Sequence, residues 1–192
     1  VSLTLSFPAD WKAQVLTGPP LIAPARQFTY PRAVAGEEEA LARGAMYATV
    51  KPATGGEFLA TCARGFADAS LPNGIWSCPR PQEICLVSGG YACVVDTAAP
   101  EQALLVPQRP VTEVLVSVEA GLLLFAGFHT VVAYGAGGVA WQTKKLTWEG
   151  MTGLRVEGAT LHGVGWDMMA DKEVPFVVDL KTGEHIGGGF KG

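Results

Sequence analysis

Residues 84–106 read ICLVSGGYACVVDTAAPEQALLV. Two apolar runs, Ile84–Val87 and Tyr91–Val95, flank Ser88-Gly89-Gly90, and a third run, Ala103–Val106, follows a polar stretch that contains Pro100. Short apolar runs bounded by Gly, Pro and Asp read as strands. Connections this brief leave no room for a crossover helix, so the strands pair as antiparallel hairpins. Turn length then decides which faces the cysteines take. A three-residue loop, Ser88–Gly90, sets Cys85 directly opposite Cys93, whereas a two-residue loop puts them on opposite faces of the sheet.

The same grammar continues in both directions. Ala45–Val50, Phe58–Phe66, Ile75–Cys78, Val111–Val118, Leu122–Phe125, Phe128–Tyr134, Val139–Thr143, Leu154–Leu161, Val174–Leu180 and His185–Gly188 are short strand-like runs, each ended by turn residues. Asn73-Gly74 is the strongest single turn signal, because both residue types tolerate positive φ. At the N-terminus Val1, Leu3, Leu5 and Phe7 alternate with Ser2, Thr4 and Ser6, the period of a strand with one buried face. Residues 8–36 hold five prolines and read as an extended connection. Glu37–Gly44 (EEEALARG) is the one segment that reads as helix, with three carboxylates at its start and Gly44 as its stop. Successive helical residues point about 100° apart, so these carboxylates do not converge and mark a solvated helix start.

Composition agrees. The 192 residues are 48% hydrophobic and 17% charged, with a net charge of −4, 24 Gly and 13 Pro. Such a chain buries a core, which excludes disorder, and its many breakers exclude a long helical bundle. The acidic balance offers no electrostatic footprint for nucleic acid. Ala120–Thr143 is 24 residues without Asp, Glu, Lys or Arg, but its five glycines and its Val131-Val132 pair favour buried hairpins over a membrane helix. No signal peptide is readable in a chain that opens at Val1, and the residues assign no compartment. Cys62, Cys78, Cys85 and Cys93 form no C-x-x-C pair and read first as buried free thiols, with a disulfide as the alternative. The expectation is one soluble domain over residues 1–192. Residues 1–57 supply an N-terminal strand, a Pro-rich connection and the short helix, and residues 58–192 supply the hairpins.

Those hairpins recur. ARGF (63–66), SGGY (88–91), FAGF (125–128) and GVGW (163–166) each place Gly before an aromatic, at intervals of 25, 37 and 38 residues. VVD (94–96), VVA (131–133) and VVD (177–179) follow, the last delayed by an insertion, DMMADKEVP (167–175). Asp96 and Asp179 are placed to accept bonds from the turn backbone that follows them. The run from Ile84 to Val106 resembles a β-propeller blade repeat of the Val-Asp type, and VVDLKTGEHIG (177–187) is similar to the corresponding turn in quinoprotein-like propellers. The resemblance extends over residues 58–192 and departs from the pattern at Ala133. It implies antiparallel sheets of about four strands arranged around an axis. A β-sandwich or an open stack of hairpins is the alternative, and Val1–Phe7 is the natural closing strand if the ring is complete.

Chemistry-bearing residues are sparse. His162 lies near the insertion carboxylates Asp167, Asp171 and Glu173, the one grouping suited to a metal or to acid/base work. Ser88 sits in V-S-G-G, which lacks the preceding Gly of a nucleophile elbow. No cofactor motif, metal-ligand spacing or catalytic residue is assigned. Trp148, Trp166, His162, Asp167 and Asp171 are the candidate ligand-binding residues. They point to a non-catalytic binding or protein-interaction module for a protein or small ligand, with homo-oligomer formation open. A metal-assisted hydrolase using His162 and the neighbouring carboxylates is the alternative.

Overall fold

The computed structural model describes residues 2–33 and 41–190. The described residues form strands and turns with no helix among them, in two compact units, Val1–Pro110 and Val111–Gly192. Of the helix expected at 37–44, residues 37–40 lie outside the described residues. Residues 41–43 form a turn, which Gly44 closes at φ 88° with its N–H donating to the Leu41 carbonyl at 2.9 Å.

The first unit holds two sheets. Strands β1 (Ser2–Thr4), β2 (Lys12–Leu16), β3 (Arg26–Tyr30), β4 (Ala45–Lys51), β5 (Phe58–Ala63), β6 (Gly74–Ser77), β7 (Glu83–Ser88), β8 (Tyr91–Asp96) and β9 (Ala103–Leu105) assemble in the orders β2-β4-β5-β3 (sheet I) and β1-β6-β7-β8-β9 (sheet II). The second unit holds two further sheets. Strands β10 (Glu113–Ser117), β11 (Leu122–Ala126), β12 (Val131–Gly135) and β13 (Gly138–Gln142) form sheet III in chain order. Strands β14 (Met151–Glu157), β15 (Thr160–Asp167), β16 (Lys172–Asp179) and β17 (His185–Gly187) form sheet IV in the same way. Each sheet is open.

Antiparallel meanders account for sheets III and IV and for β6 to β9, as the short connections require. Two pairings depart from the antiparallel expectation: β1 runs parallel to β6, and β3 runs parallel to β5. The Pro-rich stretch is also less irregular than its composition suggests, since it contains β2 and β3. Pro24 and Pro31 lie just outside the ends of β3, where no ladder N–H is needed, so the period-2 segment RQFTY is free to pair along an edge. Residue 58 opens β5, which is flanked on both sides by β4 and β3. The junction placed at 57/58 therefore falls inside sheet I. Leu154–Leu161, read as one strand, is two, because Gly158 at φ 55° turns the chain between β14 and β15.

Asn73-Gly74 makes no hairpin. Gly74 opens β6, where a Cβ would lie 2.5 Å from the Ser2 carbonyl oxygen, so glycine here admits the backbone of β1. Asn73 ties loops together: its amide donates to the Leu71 carbonyl, and its Oδ1 accepts from the Gly89 N–H, both at 2.9 Å. The decisive hairpin has the two-residue turn Gly89-Gly90, with Ser88 paired to Tyr91 and Leu86 to Cys93. Cys85 and Cys93 consequently occupy opposite faces, and all four cysteines are buried free thiols. Ala120–Thr143 folds as hairpins of β11, β12 and β13, and no described helix is long and apolar enough to cross a membrane.

Within each unit two sheets meet through an apolar layer. In the first, Ala48, Val50, Phe58 and Ala60 of sheet I share a core with Ile75, Ile84, Leu86 and Val95 of sheet II. In the second, Leu122, Leu124, Val131 and Ala133 of sheet III pack with Leu161, Phe176 and Val178 of sheet IV. The Gly-aromatic pairs do not share one place or one backbone role: Gly65-Phe66 follows β5 on the way from sheet I to sheet II, Gly89-Gly90-Tyr91 and Gly127-Phe128 join consecutive strands of one sheet, and Gly165-Trp166 lies within β15. Gly90 turns at φ 82°, whereas Gly165 is extended inside β15. Gly65 is needed for packing: a Cβ there would lie 2.5 Å from the Tyr91 ring, whose neighbour Phe66 meets it edge-on at 5.7 Å.

Candidate functional site

Strand β15 alternates half-buried and buried residues along its whole length, so Leu161, Gly163, Gly165 and Asp167 face inward while His162, Val164 and Trp166 share the outer face. Register places Glu173 of β16 opposite Trp166, and Thr152 of β14 opposite Val164. Together with Glu149 and the turn at Gly150, these residues line a cavity of about 290 Å³ on the outer face of sheet IV. Glu149 and Glu173 are exposed and form no ion pair among the described residues. The Trp166 backbone is clamped from below, its N–H donating to Thr147 Oγ1 at 2.7 Å and its carbonyl accepting from the Trp148 N–H at 3.0 Å. Gly165 permits this clamp, since a Cβ there would come within 2.8 Å of the Thr147 Cβ.

The other candidates disperse. Asp167 is 2% exposed and points inward, where its Oδ1 accepts from the Met169 and Ala170 N–H groups at 3.0 and 3.1 Å. It is a turn-closing carboxylate, the role also played by Asp96 and Asp179, whose oxygens accept from Ala98 and from Lys181 and Thr182. The backbone N–H groups of Lys181 and Thr182 hold the Asp179 carboxyl below its usual range. Asp171 sits exposed at the β15–β16 connection with φ 50°. His162 is five residues from Asp167 on the opposite face, about 16 Å along an extended strand. Its ring meets Thr160 Oγ1 at 2.9 Å and Glu157 at 3.5 Å. Glu157 is claimed first by Arg155, whose guanidinium hydrogen-bonds it at 2.6 Å and holds its carboxyl below the usual range. Among the described residues no three His, Cys, Asp or Glu side chains converge to hold a metal ion.

Trp148 is engaged elsewhere. Its ring lies 4.8 Å from Phe190, and the Lys145 ammonium stands 4.7 Å from the Trp148 centroid and 4.6 Å from the Phe190 centroid, a closed cation–π group. Met168 and Met169, which could have anchored the insertion, are 54% and 82% exposed at the hairpin tip. Sequence reasoning missed Glu149 and Thr152. Their position beside Trp166 depends on the bulge between Thr152 and Arg155, where Gly153 at φ 61° shifts the register.

No family model matches the chain, and the curated proteins supply no match. Among solved structures, the chain is similar to one described as a eukaryotic initiation factor, at 11% identity and a TM-score of 0.41, over 74% of this chain. The chain spans 40% of that protein's length.

Proposed function

We propose that this chain is a non-catalytic binding or protein-interaction module on a propeller-like β scaffold, a reading supported by its short antiparallel meanders. The observation that carries the binding reading is Trp166, backbone-clamped beside two carboxylates that form no ion pair among the described residues. An indole flanked by Glu149 and Glu173 suits the cationic side chain of a partner, Arg or Lys, through cation–π and ion-pair contacts. The net charge of −4 favours encounter with a basic segment.

The magnitudes limit the reading. An exposed cation–π contact contributes about 0.5–1 kcal/mol and each surface ion pair about 0.2–1 kcal/mol, so one side chain alone binds more weakly than millimolar. The partner must therefore lay further residues along the outer face of sheet IV. The test is an NMR titration of indole-labelled protein with the peptide Gly-Arg-Gly-Arg-Gly and its Glu counterpart, with Trp166→Phe used for assignment. The Arg peptide is expected to shift the Trp166 indole signal, and Glu149→Gln with Glu173→Gln to abolish the shift. Equal shifts from both peptides, or none from either, refute the proposal.

A further inference from the structure

A second cavity, of about 430 Å³, lies elsewhere in the Val111–Gly192 unit, within the size range of small-ligand sites. Leu122, Ala140, Ala159, Leu180 and Trp141 give it an apolar lining, and Glu119 and Lys181 are its two charged residues. Three different turns meet here: the β10–β11, β14–β15 and β16–β17 connections.

Trp141 is held as a fixed wall. Its indole N–H donates to the Leu180 carbonyl at 2.9 Å. Gly183, at φ 76°, lies against the ring, since a Cβ there would stand 2.8–2.9 Å from Trp141 Cδ2, Cε3 and Cγ. An aromatic wall whose orientation is already set loses little freedom when a ligand arrives. Glu119 and Lys181 lie on turns of different sheets and make no ion pair with each other, so their charged atoms stand more than 4.0 Å apart. Lys181 lies beside Asp179, whose Oδ1 accepts from the Lys181 and Thr182 backbone N–H groups and from the Thr182 hydroxyl.

An apolar cavity with a carboxylate and an ammonium on separate walls is complementary to a zwitterion whose charges sit at the two ends of an apolar body. We propose that this cavity binds a short apolar peptide with free termini. Its α-ammonium meets Glu119, its α-carboxylate meets Lys181, and an apolar side chain rests on Trp141, Leu122 and Leu180. Such a peptide differs from a free amino acid, whose two charges share one carbon and do not lie at opposite ends of an apolar body. The site is separate from the Trp166 cavity and does not depend on that reading.

The experiment titrates the whole chain with leucyl-leucine, N-acetyl-leucyl-leucine, leucyl-leucine amide and free leucine, observing the Trp141 indole resonance by NMR. Leucyl-leucine is expected to shift it saturably, and loss of either terminal charge to weaken binding by about two- to fivefold, the scale of one exposed ion pair. Glu119→Gln should remove the penalty for acetylation alone, and Lys181→Met the penalty for amidation alone. Both residues are exposed, so these variants keep the fold. Binding by leucine as tight as by the dipeptide, indifference to blocked termini, or no shift of Trp141 overturns the proposal.

Discussion

Replacing Asp167 by alanine is expected to destabilise the protein by about 2–3 kcal/mol. The carboxylate is buried, and its Oδ1 takes two backbone N–H groups, at 3.0 and 3.1 Å, that close the 168–171 connection between β15 and β16. Hydrogen bonds to an ionised group contribute about 1.5–3 kcal/mol each. Met168 and Met169 are exposed, so water reaches the freed amides and the cost falls to or just below the bottom of that range, about 1–1.5 kcal/mol per bond. Asp167→Asn keeps the accepting oxygen and loses its charge, so about 1 kcal/mol is expected. Urea unfolding measures both: with a slope of about 2 kcal/mol per molar, the alanine midpoint falls by about 1–1.5 M and the asparagine midpoint by about 0.5 M. An alanine variant within 0.5 kcal/mol of the parent, or an asparagine variant as costly as alanine, refutes the turn-closing role.

Further outcomes follow from the same geometry. Gly165→Ala should lower stability by about 1–3 kcal/mol in thermal unfolding, because the new methyl meets the Thr147 Cβ at 2.8 Å and the Leu146 carbonyl oxygen at 3.0 Å. Met168→Ser with Met169→Ser should change stability by less than about 0.5 kcal/mol, since both side chains are exposed. The four thiols should resist a chromogenic disulfide reagent in the native protein and all react in denaturant, because each is buried and free. Burial raises the Cys93 thiol from 9.0 to about 12. The folded state thus holds a proton that the unfolded chain releases, and this contribution is complete below about pH 9 and is lost as pH rises toward 12. A midpoint of denaturation unchanged over that interval when Cys93→Ala is compared with the parent would contradict the assignment.

Much of the strand content was legible because burial leaves a local trace. The runs around Ser88-Gly89-Gly90 are apolar on both faces and sharply bounded, and they became β7 and β8. Asp96 and Asp179 were readable as turn acceptors, because an Asx turn involves only the next two or three residues. β3 was hidden by its prolines, and its parallel partner β5 lies about thirty residues away. Asn73-Gly74 misled for a related reason, since the demand on Gly74 comes from Ser2 across the β1–β6 pair and not from a turn.

The candidate site divides along the same line. That Trp166 and His162 share a face, and that Asp167 does not, follows from the period of a strand and was available once β15 was recognised. Residue types and alternation were thus determined locally: an all-β chain, short meanders, buried thiols and turn carboxylates. Tertiary structure alone decided which residues meet across strands: Glu173 and Glu149 beside Trp166, and Gly183 against Trp141 with Glu119 and Lys181 at the same cavity. The physical reason is that register, bulges and sheet-on-sheet packing are set by the sum of many distant contacts, and a single bulge such as that at Gly153 re-pairs every residue beyond it.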